Sequence, residues 1–252
     1  MEVFSFIFGL CIGSFLNVCI YRLPASRSIT HPRSSCPHCG RLIRFYDNIP
    51  VLSYLWLRGR CRYCRTSIAL RYPMVEILGG WFALGTFLKY GLTLEALIYY
   101  VFIAALLAIT FIDIDHQIIP DVITLPGIPI GFAAGFALPA TSYLDSIWGI
   151  LVGGGSLLVI AWVYNLVTKK DGMGGGDIKL LAMIGAIIGW KGVLFTIFVA
   201  SAVGTLSGII VMLKARKSMK LAIPFGPFLA IGAIAYIFFG PALVLWYFNL
   251  LE

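Results

Sequence analysis

The stretch LEALIYYVFIAALLAITFIDIDHQIIPD, residues 94–121, decides the fold class. Between Leu94 and Ile112 only Glu95 is charged, and then Asp113 and Asp115 arrive together. A helix that crosses a bilayer needs about 20 mostly apolar residues at a rise of about 1.5 Å each. This run meets that requirement, and Pro120 marks the turn into the next segment because proline fits poorly inside a helix. A charged carboxylate at membrane depth costs roughly 2–3 kcal/mol on insertion scales, so an acid closing such a run calls for a reason. If the helix continues, Asp113 shares a face with His116 and Gln117. Asp115 then stands about 200° round the axis. Periodicity predicts that one of the two acids faces the bundle interior and leaves open which. Asp115 and Asp121 also suit an interfacial cap or solvated turn.

Composition carries the same message across the whole chain. Of 252 residues, 60% are hydrophobic and 12% are charged, and the mean hydropathy is +0.94. Ordinary soluble domains carry about 25% charged residues, so a water-soluble domain of this composition could not cover its surface. The expectation is an all-α polytopic membrane protein with about eight transmembrane helices, at residues 3–21, 74–88, 94–112, 122–140, 147–167, 178–190, 193–213 and 224–250. The sixth is the weakest, being short and glycine-containing. The first opens Met1-Glu2 without a basic region and runs into Arg22, unlike a cleaved signal peptide.

The basic residues set the orientation. Ten arginines lie from Arg22 to Arg71, Lys169 and Lys170 follow the fifth segment, and Lys214, Arg216, Lys217 and Lys220 follow the seventh. With those loops cytosolic, only Lys89 and Lys191 fall on the far side, with Lys179 just inside segment six. The net charge of +8 is then topology together with attraction to anionic headgroups, and no nucleic acid is needed to explain it.

The same topology places a second acid, Asp177, on the cytosolic face with Asp113. It closes Gly174-Gly175-Gly176-Asp177, and Gly172 stands just upstream. Glycines there leave a backbone free of side-chain bulk, open to the close approach of another chain. An Asp at a helix start also reads as an N-cap that bonds backbone amides, although this does not account for the glycines. Two carboxyl groups at equivalent ends of two apolar segments point to aspartyl-type hydrolysis. Two like charges at close range cannot both ionise readily, so the pair is expected to hold one shared proton and to titrate as a unit.

The loop from about residue 24 to 73 carries Cys36-x2-Cys39 and Cys61-x2-Cys64 with 21 residues between the pairs. That spacing is close to a C-x2-C…C-x2-C zinc pattern. Four thiolates suit a structural Zn²⁺ with closed tetrahedral coordination, and a cytosolic loop is kept reduced, against disulfides. An arginine-rich loop of this size has too little core to fold unaided. Cys11 and Cys19 read as apolar packing residues and His31 and His38 as solvated. Gly9 and Gly13 form a G-x-x-x-G packing pair, while Asn17 needs a hydrogen-bond partner and also suits a substrate groove.

Asp113 before Pro120 and Gly174-x-Gly176-Asp177 resemble the two signature elements of the type IV prepilin peptidases, membrane aspartyl proteases of the GxGD class. The likeness extends over nearly the whole chain. It includes Gly13-Ser14-Phe15-Leu16-Asn17-Val18, Arg22-Leu23-Pro24 and Cys36-Pro37-His38-Cys39-Gly40. Asp47-Asn48-Ile49-Pro50, Arg58-Gly59-Arg60-Cys61, Arg71-Tyr72-Pro73 with Glu76, and Pro224-Phe225-Gly226-Pro227 complete it. The resemblance implies that Asp113, not Asp115, pairs with Asp177 as the catalytic dyad. It implies prepilin and pseudopilin substrates, cut after a glycine that precedes their apolar helix, at the cytosolic face of a bacterial inner membrane. It also implies N-methylation of the new terminus, usually a phenylalanine, with S-adenosylmethionine as donor. The loop has no G-x-G-x-x-G fingerprint, so no donor-binding residue is assigned. The expected division is a first helix at 1–22, a zinc-binding, methyltransferase-associated domain at 23–73 and a peptidase core at 74–252. The rival readings are a proton- or cation-coupled transporter using the paired aspartates, against which both acids lie at one face rather than the midplane, and a membrane anchor presenting the zinc loop.

Overall fold

The computed structural model describes residues 1–169, 174–215 and 224–249, with side chains for all but 211, 214–215 and 241–249. Lys170, Gly172, Arg216, Lys217, Lys220 and Leu250, cited above, lie outside the described residues. The chain is helical, and among the described residues no strand forms. The helices are α1 (Glu2–Arg22), the short α2 (Leu52–Trp56), α3 (Arg71–Tyr90), α4 (Leu94–His116), α5 (Asp121–Gly135), α6 (Tyr143–Thr168), α7 (Gly175–Ala215) and α8 (Gly226–Asn249).

Each apolar segment read from the sequence falls on a helix. Among the described residues four stretches are long and apolar enough to cross a membrane: Glu2–Arg22, Leu94–His116, Tyr143–Thr168 and Gly175–Ile210. Helix α5 has 15 residues, ending well before residue 140, with Pro126 and Pro129 inside it. Segments six and seven fall on two helices, numbered together as α7, that meet at a kink at Gly189, whose φ of 71° and ψ of 177° leave the helical region. Large apolar side chains such as Trp148, Trp162 and Phe198 face outward, as lipid-covered helices require.

The chain divides into two compact units, Met1–Ala108 and Ile109–Glu252. In the first, α1 and α3 pack closely through small residues. A Cβ at Gly9 would collide with the carbonyl of Gly79, and one at Gly13 would stand 2.6 Å from Glu76 Cα, so the G-x-x-x-G pair serves packing. Asn17 Nδ2 donates to the Tyr72 carbonyl at 3.0 Å, and Asn17 Oδ1 has no partner among the described residues. Arg22 is buried and donates to the carbonyls of Ser28 at 2.9 Å and Pro32 at 2.6 Å. It fastens the loop that follows as well as marking the basic face.

In the second unit α6, α7 and α8 pack in sequence, with α5 against α7. The break at Gly189 withdraws hydrogen-bond donors from the preceding carbonyls, which are buried and need replacements. Two buried hydroxyls supply them. Ser146 Oγ donates to the Ala186 carbonyl at 2.9 Å and Thr141 Oγ1 to that of Ile187 at 3.3 Å. Trp190 Nε1 donates to Asp145 Oδ1 at 3.1 Å just past the break. Below it, Gly149 of α6 lies directly against the Gly185 carbonyl of α7.

That backbone contact leaves no room for a side chain. Gly149→Val should lower thermal stability in detergent by about 1–3 kcal/mol, the usual cost of overpacking. Gly155→Ala on the same helix, with no atom within 4 Å of its added carbon, should leave the melting temperature unchanged. Equal behaviour of the two variants would contradict this packing.

Candidate active site and metal centre

Asp113 lies in the last turn of α4 and is 5% exposed, whereas Asp115 is exposed. Helical periodicity required one inward acid, and the interior receives Asp113. His116 and Gln117, on the same side one turn later, are already exposed as the helix leaves the core. The Gly226 amide, at the start of α8, donates to Asp113 Oδ2 at 3.0 Å in a buried bond. A helix N-terminus carries partial positive charge and unsatisfied amides, so this end of α8 suits a carboxylate.

Asp177 is half-buried in the first turn of α7. Its own amide donates to the Gly174 carbonyl at 3.2 Å, so Gly174 rather than Asp177 occupies the cap position. The Asp177 carboxylate interacts electrostatically with that of Asp113, which brings the two sequence-predicted acids into one electrostatic site.

Ile119, from the turn joining α4 to α5, lies against the glycines next to the acids. A Cβ on Gly176 would stand 2.8 Å from Ile119 Cβ. One on Gly226 would stand 3.4 Å from Ile119 Cδ1 and 2.7 Å from Asp113 Oδ2. The two glycines thus flank one isoleucine, each next to an acid or its partner. Beside them Lys179 Nζ contacts both oxygens of Asp121 at 2.8 Å, joining the first turns of α5 and α7. This pair is partly exposed, so its contribution is small. Sequence reasoning missed Ile119 and the Gly226 bond. The one available signal was Gly226 standing between Pro224 and Pro227 at the foot of an apolar run.

In the first unit, Cys36, Cys39, Cys61 and Cys64 bring their sulfurs within 4.8 Å of one another, and Cys36 Sγ lies 3.8 Å from Cys64 Sγ. A tetrahedron with metal–sulfur bonds of ~2.3 Å has edges of about 3.8 Å, so the donor set fits a divalent ion of zinc's size and preference. The two halves are built alike. The Cys36 amide donates to Arg41 as that of Cys61 does to Thr66. Gly40 returns to Cys36 as Arg65 does to Cys61, and Ile43 bonds Ser34 as Ile68 bonds Gly59. Gly40 and Arg65 both take positive φ, 69° and 59°.

The thiols are electrostatically uneven. The Thr66 hydroxyl and amide pull the Cys64 thiol down to about 6. Against the pull of a backbone bond at Arg41, burial and the Cys36 and Cys64 sulfurs push Cys39 up to about 11. A cation among the four would remove that mutual repulsion. Asp47 accepts three bonds from Arg62 at 2.6–3.1 Å, which hold its carboxyl below the usual range. Arg41 lies over the Tyr63 ring at 4.8 Å and Arg62 over Tyr46 at 5.4 Å, so part of the positive charge of the loop is used internally. His31 and His38 are exposed and stand outside the cysteine cluster. Cys19 is buried within α1 and Cys11 exposed on it.

Comparison with known proteins matches both units. The family model for the bacterial peptidase A24 N-terminal domain matches residues 7–90, and that of the type IV leader peptidase family matches residues 100–209. A Burkholderia pseudomallei protein is 37% identical, covering 94% of this chain and 85% of its own. One from Pseudomonas putida is 38% identical over 93% and 89%, and one from Myxococcus xanthus 41% identical over 86% and 64%. Each is named prepilin leader peptidase/N-methyltransferase. No solved structure matches. With relatives aligned over nearly its full length and the A24 peptidase model covering both acids, this chain belongs to the type IV leader peptidase family.

Proposed function

We propose that this protein cleaves the leader from type IV prepilins or pseudopilins and then N-methylates the new terminus. Asp113 and Asp177 act as the catalytic dyad. The observation that carries the reading is the buried Asp113 carboxylate held by the Gly226 amide, near enough for its charge to act on Asp177, in a chain of the leader peptidase family. Nothing in the family match or the relatives favours a transporter.

In the proposed mechanism one carboxylate of the pair is ionised and the other protonated. The ionised group takes a proton from a water, which attacks the scissile carbonyl. The protonated group donates to the carbonyl oxygen, and the roles then exchange as the amine leaves. The Gly226 amide engages one oxygen of Asp113 and leaves the other for proton transfer. Gly174 and Gly175 give an extended substrate backbone room beside Asp177. We place both acids at the cytosolic face of a bacterial inner membrane, in a bundle of about eight spans with the charge asymmetry described above. We assign residues 74–252 to the peptidase core and 23–73 to a domain associated with methyl transfer. Zn²⁺ bound by Cys36, Cys39, Cys61 and Cys64 would cross-link that domain without supplying an open catalytic position. S-adenosylmethionine would supply the methyl group.

Incubation with a prepilin in detergent should show a size shift that Asp113→Ala and Asp177→Ala each reduce by roughly 10²–10⁴-fold. The double variant should be no worse than the poorer single, because the acids work as a unit. Cleavage persisting in either single variant would refute the dyad. Gly226→Ala, whose added carbon would crowd Asp113 Oδ2, should lower kcat on the order of 10²-fold with little change in KM. Full activity there would mean that the amide bond is dispensable. Cys36→Ser should lower bound zinc and abolish methylation while sparing cleavage, and the opposite pattern would remove the loop from methyl transfer.

A further inference from the structure

Helix α2 lies in the cysteine-rich loop, yet its outer face is apolar. Leu52, Leu55 and Trp56 stand at i, i+3 and i+4, so they share one side, and they are 63%, 64% and 84% exposed. The other side is tied down. The Tyr54 ring lies against Gly59 and its hydroxyl donates to the Ile68 carbonyl at 3.4 Å. A surface of this kind on a loop otherwise rich in arginine needs a cover.

The covering medium follows from where α2 begins. The Val51 amide, at the residue before α2, donates to Glu76 Oε2 at 2.7 Å. Glu76 lies on α3 with its backbone packed against Gly13 of α1, and α1 is one of the candidate spans. Gly13 precedes the end of α1 at Arg22 by about 13 Å of helix axis at ~1.5 Å per residue. Gly13 is near the middle of α1, so the tether holds α2 alongside a spanning helix, not beyond its end, between mid-bilayer and the inner interfacial layer. Tryptophan is favoured at that layer, and an amphipathic surface with basic flanks is the usual interfacial element.

The flank is basic. Trp56, Leu57, Arg58, Arg60 and Arg65 line a cavity of about 500 Å³. Arg58, Arg60 and Arg65 form no ion pair among the described residues, whereas Arg62 is committed to Asp47. Three free guanidinium groups beside an exposed indole complement a phosphate with acyl chains beneath it.

We propose that α2 is an interfacial foot: Leu52, Leu55 and Trp56 insert at the inner-leaflet boundary, and the Arg58–Arg60–Arg65 cavity holds the headgroup phosphate of an anionic phospholipid. The foot would pin the cysteine-rich domain to the bilayer surface. This inference rests on the chain being embedded in a membrane and not on its catalysis, and its test uses no activity.

Full-length, zinc-loaded protein is placed in nanodiscs of phosphatidylcholine, with or without phosphatidylglycerol, and with bromine-labelled lipid as a short-range quencher. The fluorescence difference between wild type and Trp56→Phe isolates Trp56. It should be quenched by brominated lipid, and more strongly when phosphatidylglycerol is present. Phosphatidylglycerol retained after detergent extraction, counted by native mass spectrometry, should weaken about fivefold for each of Arg58→Gln, Arg60→Gln and Arg65→Gln. Zinc content, measured in every variant, should be unchanged. Added inorganic phosphate should not displace the lipid. A water-exposed, unquenched Trp56 in both lipid mixtures would overturn the proposal. So would displacement by free phosphate, retention of the lipid by the triple glutamine variant, or a loss of retention only in variants that have lost zinc.

Discussion

A carboxylate sealed inside a helical bundle and met there by a single backbone amide is the constraint on which this structure turns. Burying an unpaired carboxyl group is expensive. The Gly226 amide makes it tolerable for Asp113, because it comes from the positive end of a helix. For that amide to arrive, α8 must start within hydrogen-bond reach of the end of α4, so Gly226 cannot carry a side chain. Ile119 then fills the space between Gly226 and Gly176, and Asp177 follows at the next position. One bond thus sets the positions of the ends of three helices.

The helix that carries Asp177 has its own requirement. The backbone leaves the helical region at Gly189, where two helices meet, and the carbonyls freed there are met by Ser146 and Thr141. These hydroxyls, with the Gly149–Gly185 contact, lock α6 against α7. Along α7 that contact begins about two turns beyond Asp177. Beside Asp177, Gly174 and Gly175 stand in open surroundings, and Gly176 packs against Ile119.

Much of this was legible in the residues. Apolar run length placed every long helix, and the C-x2-C pairs identified four sulfurs that do converge. Asp113 against Asp115 was not decidable from periodicity, since a 200° separation says only that they differ. Burial of Asp113 answers it, in agreement with the family pattern. The end of segment four was misjudged because hydropathy runs on past Gly135, where the backbone leaves the helix. Segments six and seven read as separate because Gly189-Trp190-Lys191 interrupts the apolar run, and the two helices do part at Gly189, where the backbone leaves the helical region. The Gly226–Asp113 bond joins residues far apart in sequence, and its only local trace is Gly226 set among prolines at the foot of an apolar run. The paired knuckles of the cysteine loop do have a local trace: the same bond pattern repeats around each C-x2-C, with Gly40 replaced by Arg65 at the left-handed position.

The account stands on Asp113 and Asp177 sharing one small space at one face of the bilayer. The most direct measurement is cross-linking of an Asp113→Cys/Asp177→Cys double variant with thiol-specific bridges of graded length. It is made in native membranes with Cys11 and Cys19 changed to alanine and zinc kept bound. The account predicts an intramolecular bridge between the two positions with the shortest reagents, mapped by peptide mass spectrometry. It also predicts that both positions are equally protected from an impermeant thiol reagent applied on the periplasmic side. Cross-links formed only by long bridges, or positions labelled from opposite sides, would contradict it.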